Sequence, residues 1–129
     1  MAPPDLELAQ VSIFQRLRLQ HQERFEAALK ERVQVSLAAT PLETDGSVEV
    51  LLFGSRARGD WDGCSDTDLL VVADTQAQAE AVADALLGAG LGADVVALSR
   101  GRWQTMASST SPHWRRICRE ARPLFVREP

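Results

Sequence analysis

The hydrophobic positions of the chain change period several times, and each change marks an element. Over the first forty residues Phe14, Leu17, Phe25, Leu29, Val33 and Leu37 recur at roughly helical spacing with charges between them. This predicts one long helix or two, entered after Pro3-Pro4 and closed at Thr40-Pro41. Residues 40–46 are turn-forming. Residues 48–53 alternate and end apolar, a buried strand that stops at Gly54-Ser55. Ser55 can cap a short helix through residues 55–58, and 59–65 is a turn-rich loop. Residues 66–73 form a second strand, central because Leu69 to Val72 is continuously apolar. A helix over 75–87 starts at the cap Thr75 and turns Ala79, Val82, Ala83, Leu86 and Leu87 inward. Glycines in 88–92 end it, and 93–98 is a third strand. Ser111-Pro112 begin a last helix as N-cap and first residue, and Pro123 ends it. On that helix Trp114, Ile117, Cys118 and Ala121 share one face, while Arg115, Arg116, Arg119 and Arg122 lie mostly on the other.

The order α-β-α-β-α-β-α predicts an α/β sandwich on a small sheet. A length of 129 residues fits a single domain. Residues 1–40 form a long N-terminal helical extension, 47–98 the core and 111–123 the C-terminal helix. A hydrophobic fraction of 45% is enough for a packed interior and excludes a disordered chain. The net charge of −4 gives no reason to expect direct nucleic-acid binding, but the charge is unevenly placed. From Asp60 to Asp94 there are eight acids and no Lys or Arg; from Arg100 to Arg127 there are seven Arg and one acid, Glu120. The acidic centre suits cations; the basic end suits phosphates, a partner, or a solvated helix face. Cys64 and Cys118 have no CxxC spacing, so neither a zinc site nor a disulfide framework follows. No apolar run reaches the length of a membrane span, and the first ten residues lack the basic start and apolar core of a signal peptide. The expected compartment is the cytoplasm.

Candidate chemistry concentrates in residues 51–72, LLFGSRARGDWDGCSDTDLLVV. Residues two apart on a strand point the same way, so Asp66 and Asp68 converge on one side of the sheet. Adjacent carboxylates repel unless a cation compensates them, and a hard divalent ion such as Mg²⁺ prefers oxygen ligands and brings phosphates with it. A bare Asp-x-Asp also fits a turn cap beside a solvated carboxylate. Asp94 changes the balance, because it opens an otherwise apolar strand, where an acid is costly unless used or exposed. Three carboxylates can hold two metals, with Asp94 as second-metal ligand or general base. Gly54 and Ser55 suit a phosphate cradle of backbone N–H groups and one hydroxyl; no Walker A loop is present. Of Arg56 and Arg58, one can reach a triphosphate while the other pairs with Asp60 or Asp62; Arg58 is the nucleotide-binding candidate. His21 and His113 show no ligand spacing and read as incidental. Trp61 and Trp103 could stack on a base but suit packing better, and Cys64 reads as a small filler.

The stretch GSRARGD, then SDTDLLVV, then ADVVAL closely resembles the polymerase β-type nucleotidyltransferase superfamily. The ten-residue interval between Gly54-Ser55 and Asp66-x-Asp68 resembles its minimal nucleotidyltransferase (MNT) branch. The resemblance covers residues 48–98 well and the last helix loosely. It implies a small mixed sheet flanked by helices, Mg²⁺ dependence, and transfer of a nucleoside monophosphate, AMP from ATP, to a hydroxyl. Gly54 and Ser55 are then expected to bind the triphosphate, and Asp66, Asp68 and Asp94 to hold the metals. In the MNT branch the acceptor is a tyrosine of a small helical HEPN ribonuclease toxin, which the MNT antitoxin adenylylates and silences. Two alternatives remain: transfer to a small molecule of the aminoglycoside type with a partner or a second copy completing the pocket, and a binding antitoxin that works by occlusion through the first helix and the Arg-rich end. The extension of more than forty residues before the first strand departs from the MNT pattern.

Overall fold

The structure, a computed structural model, describes residues 4–40, 46–54, 57 and 67–127, with side chains from residue 13 onward. Its elements are α1 (Pro4–Ala38), β1 (Val48–Phe53), β2 (Asp68–Ala73), α2 (Gln76–Gly88), β3 (Asp94–Ser99), α3 (Arg100–Met106), α4 (Pro112–Glu120) and β4 (Arg122–Arg127). The strands form one sheet in the order β3-β2-β1-β4. β1 is antiparallel to both β2 and β4, while β2 and β3 are parallel. The parallel pair is joined through α2, as a parallel crossover requires. This is the small mixed sheet flanked by helices that the sequence reading expected.

β2 is central because both of its faces are covered, and Leu69 to Ala73 are all fully buried. Alternate residues feed two cores. On one face Leu69, Val71 and Ala73 meet Val48, Val50 and Leu52 of β1, with Val33 and Leu37 of α1 and Val82 and Leu86 of α2 above them. On the other face Leu70 and Val72 meet Leu51, Phe53 and Leu98, covered by Trp103 and Met106 of α3 and by Trp114 and Ile117 of α4. The result is three layers, with α1 and α2 on one side of the sheet and α3 and α4 on the other. The expected caps are present: Thr75 accepts from Gln78 N at 3.2 Å, and Ser111 accepts from Trp114 N at 3.5 Å.

Several expectations are corrected. α1 is one helix, one of the two readings, and only its second half packs on the domain; Phe14 and Leu17, which share the helical spacing of Leu29, Val33 and Leu37, are 75% and 49% exposed. The four-residue spacing from Leu17 to Leu37 drifts around the helix, so one stripe cannot keep facing the same sheet. Leu87, expected inside, is 44% exposed on the far side of α2. β2 starts at Asp68 rather than at residue 66, and Asp66 lies outside the described residues. The last helix stops at Glu120, and Pro123 belongs to a fourth strand that the sequence reading lacked. Pro123 is tolerated because β4 is an edge strand beside β1, in the segment where the register shifts between Val50 and Leu51. The short α3 was also unexpected; it follows β3 without a loop, capped by Ser99, whose hydroxyl accepts from Arg102 N at 3.3 Å.

Candidate functional site

β1 ends, and β2 and β3 begin, at the same edge of the sheet. Phe53 pairs with Asp68 across the antiparallel ladder, and Asp68 pairs with Asp94 across the parallel one. Residues in register on adjacent strands project from the same face, at an interstrand spacing of about 4.8 Å. Asp68 and Asp94 therefore lie side by side on the α3/α4 face, in line with Leu70, Val72, Val96 and Leu98 of the core beneath them. The backbone just before the strands is tied as well, since Ala93 N donates to Thr67 O at 2.8 Å. Asp68 is half-buried and Asp94 exposed, so a carboxylate starts each strand where water can still reach it.

Gly54 stands against Asp68. Its φ is +77°, in the region that favours glycine. A Cβ at this position would lie 2.5 Å from Asp68 Oδ2. The end of β1 thus runs directly beside the Asp68 carboxylate.

A cavity of about 310 Å³ opens there, walled by Phe53, Gly54 and Asp68 from the sheet edge and by His113, Arg116, Ile117 and Glu120 from α4. The α4 residues are spaced three and four apart, so they share one helix face. Ile117 anchors that face in the core while Arg116 Nε donates to Glu120 Oε1 at 3.0 Å. His113, read from the sequence as incidental, and Arg116, read as part of a solvated face, both line this cavity. The His-x2-Arg-x3-Glu spacing around a buried Ile was the signal that could have found them.

Three other arginines of the basic end are engaged elsewhere. Arg100 pairs with Asp74 at 3.4 Å and also contacts Ser47 at the opposite edge of the sheet. Arg122 pairs with Glu26 of α1 at 3.1 Å, and Arg115 donates to Ser109 O at 3.0 Å. Trp103 is a packing residue of the second core, as expected. Cys118 is half-buried, and burial pushes its thiol above the ordinary range, away from a nucleophile's needs.

Of the residues singled out from the sequence, the structure brings Gly54, Asp68 and Asp94 together. Ser55, Arg58 and Asp66, together with Arg56, Asp60, Asp62, Trp61 and Cys64, lie outside the described residues. Among the described residues no group of three or more His, Cys, Asp and Glu is placed to hold a metal ion. The donor chemistry of Asp68 and Asp94 nonetheless fits a hard divalent cation: two carboxylates on one face, with no basic residue among those that wall the Asp68 cavity except His113 and Arg116 on the opposite helix. Among the described residues no helix is long and apolar enough to cross a membrane.

The family profile described as a nucleotidyltransferase domain matches residues 23–102. The match takes in all of β1, β2, α2 and β3, and hence Gly54, Asp68 and Asp94. Comparison with curated proteins and with solved structures gave no significant match.

Proposed function

The chain belongs to the nucleotidyltransferase domain family, and from that premise we propose that it transfers AMP from ATP to a hydroxyl on a partner protein, a tyrosine of a HEPN-type ribonuclease toxin, acting in the cytoplasm as the antitoxin. The observation that carries this reading is the meeting of Gly54, Asp68 and Asp94 at one sheet edge. In the reaction the acceptor oxygen bonds to the α-phosphorus, the bond from that phosphorus to the bridging oxygen breaks, and pyrophosphate leaves.

Each group has a distinct part. Asp68, Asp94 and, from the sequence motif, Asp66 would hold Mg²⁺, which would neutralise the triphosphate and lower the pKa of the attacking hydroxyl. Gly54 and Ser55 present main-chain N–H groups and a hydroxyl to the phosphate oxygens. Asp94, exposed at the start of β3, is placed to take the proton of the acceptor. Arg116 and His113 wall the cavity opposite Asp68, and Arg58, from the sequence motif, would add a phosphate contact. The cavity volume of about 310 Å³ is at the small end for ligand sites.

The test incubates the chain with Mg²⁺, α-labelled ATP and the helical partner encoded beside it. Label on a partner tyrosine is expected. No label with both proteins folded overturns the reading, and full neutralisation of the partner by Asp68→Asn would instead establish occlusion without catalysis.

A further inference from the structure

We propose that two copies of this chain associate through an antiparallel pairing of α1, in the register that sets Leu17 of one copy against Val35 of the other. α1 runs 35 residues, about 52 Å at 1.5 Å per residue, and only its second half is held by the domain. The family match begins at residue 23, so the projecting half lies before it.

That helix carries a second line of positions, distinct from the buried Leu29, Val33 and Leu37. It alternates steps of three and four: Phe14 and Leu17 at one end, Val35 and Ala38 at the other, His21, Arg24, Ala28 and Glu31 between. This is the spacing of a coiled-coil seam. Every one of these positions is exposed. The large apolar ones are strongly so, Phe14 at 75%, Leu17 at 49% and Val35 at 65%. Large apolar side chains in contact with water at both ends of this line are a surface awaiting cover.

A second copy is the occupant that the pattern fits. Laid antiparallel and centred between Arg24 and Ala28, the seam matches itself: Phe14 meets Ala38, Leu17 meets Val35, His21 meets Glu31, and Arg24 meets Ala28 with Glu31 one turn away. Apolar ends meet apolar ends, and Arg24 lies one turn from the acid Glu31 of the other copy twice over, as a two-fold interface demands. A parallel pairing would stack Arg24 on Arg24 and Glu31 on Glu31, which like-charge repulsion opposes.

The domain adds a receptacle at the required place. A groove of about 620 Å³ lies between the end of α1 and the end of α2, lined by Val35, Ala39, Ala85, Ala89 and Leu91 with Glu31 and Arg32 at its rim. The antiparallel register delivers Ile13 and Phe14 of the second copy to that groove. The cavity beside Asp68 is walled by α4, on the other face of the sheet from α1 and α2.

Sedimentation equilibrium of the full chain tests this. A reversible dimer of twice the chain mass is expected. Leu17→Asp, at an exposed position, should weaken the dimer at least about tenfold, a cost of about 1.4 kcal/mol, with an unchanged far-ultraviolet circular dichroism spectrum. Arg24→Glu and Glu31→Arg should each weaken it, and the double variant should restore it. A chain monomeric at every concentration overturns the proposal, as does a dimer indifferent to Leu17→Asp or a double charge swap that fails to restore association. A chain that is monomeric alone and covers the stripe only with a HEPN-type partner overturns it in favour of that partner.

Discussion

Gly54 and Asp68 are in such close approach that the turn after β1 has no room for a side chain: a Cβ on Gly54 would stand 2.5 Å from Asp68 Oδ2. The glycine is thus part of the carboxylate's surroundings as well as a bend in the chain. Gly54→Ala should lower stability by about 1–2 kcal/mol, because φ is positive and an L-residue pays for that conformation. It should reduce nucleotidyl transfer on the order of 100-fold, since a displaced carboxylate loses alignment with its substrate. Urea denaturation and a transfer assay on the same preparation check the two parts.

Asp68 and Asp94 stand in register as like charges on adjacent strands. Asp94→Asn should therefore raise the melting temperature in EDTA while reducing transfer by about 10²–10⁴-fold. Added Mg²⁺ should raise the melting temperature of the unaltered chain more than that of the variant. Differential scanning fluorimetry across a magnesium titration reads this, and equal shifts in both proteins would remove Asp94 from the metal-holding set.

Arg116 reaches the cavity while engaged to Glu120 on its own helix. Its exchange from carboxylate to triphosphate predicts that Arg116→Ala raises KM for the nucleotide about tenfold, a loss of about 1.4 kcal/mol of binding, with kcat little changed. Arg116→Lys should recover only part, because a point charge does not replace a planar fork. Steady-state kinetics separates the two constants.

Ile117 is buried between α4 and the sheet and holds the helix that carries His113, Arg116 and Glu120. Ile117→Ala should cost about 2–5 kcal/mol in urea denaturation. Because α4 then loosens over the cavity, KM for the nucleotide should rise even at temperatures where the protein remains folded.

Much of this molecule was legible in the sequence because the signals were local. The unbroken apolar run Leu69 to Val72 marked a central strand, and Thr75 and Ser111 marked helix starts through their own side chains. The sequence by itself also put Asp68 and Asp94 near the starts of two strands, although it began the first of them two residues early, at Asp66. Tertiary structure alone decided that these acids stand in register, since strand order and pairing are set by contacts between distant residues. It alone decided that 122–127 is a strand, because a proline-bearing segment becomes one only against the free edge of β1. It alone turned His113 and Arg116 toward Asp68, through the burial of Ile117, and left Phe14 and Leu17 in water, where helical period gives a stripe but not the surface that will cover it.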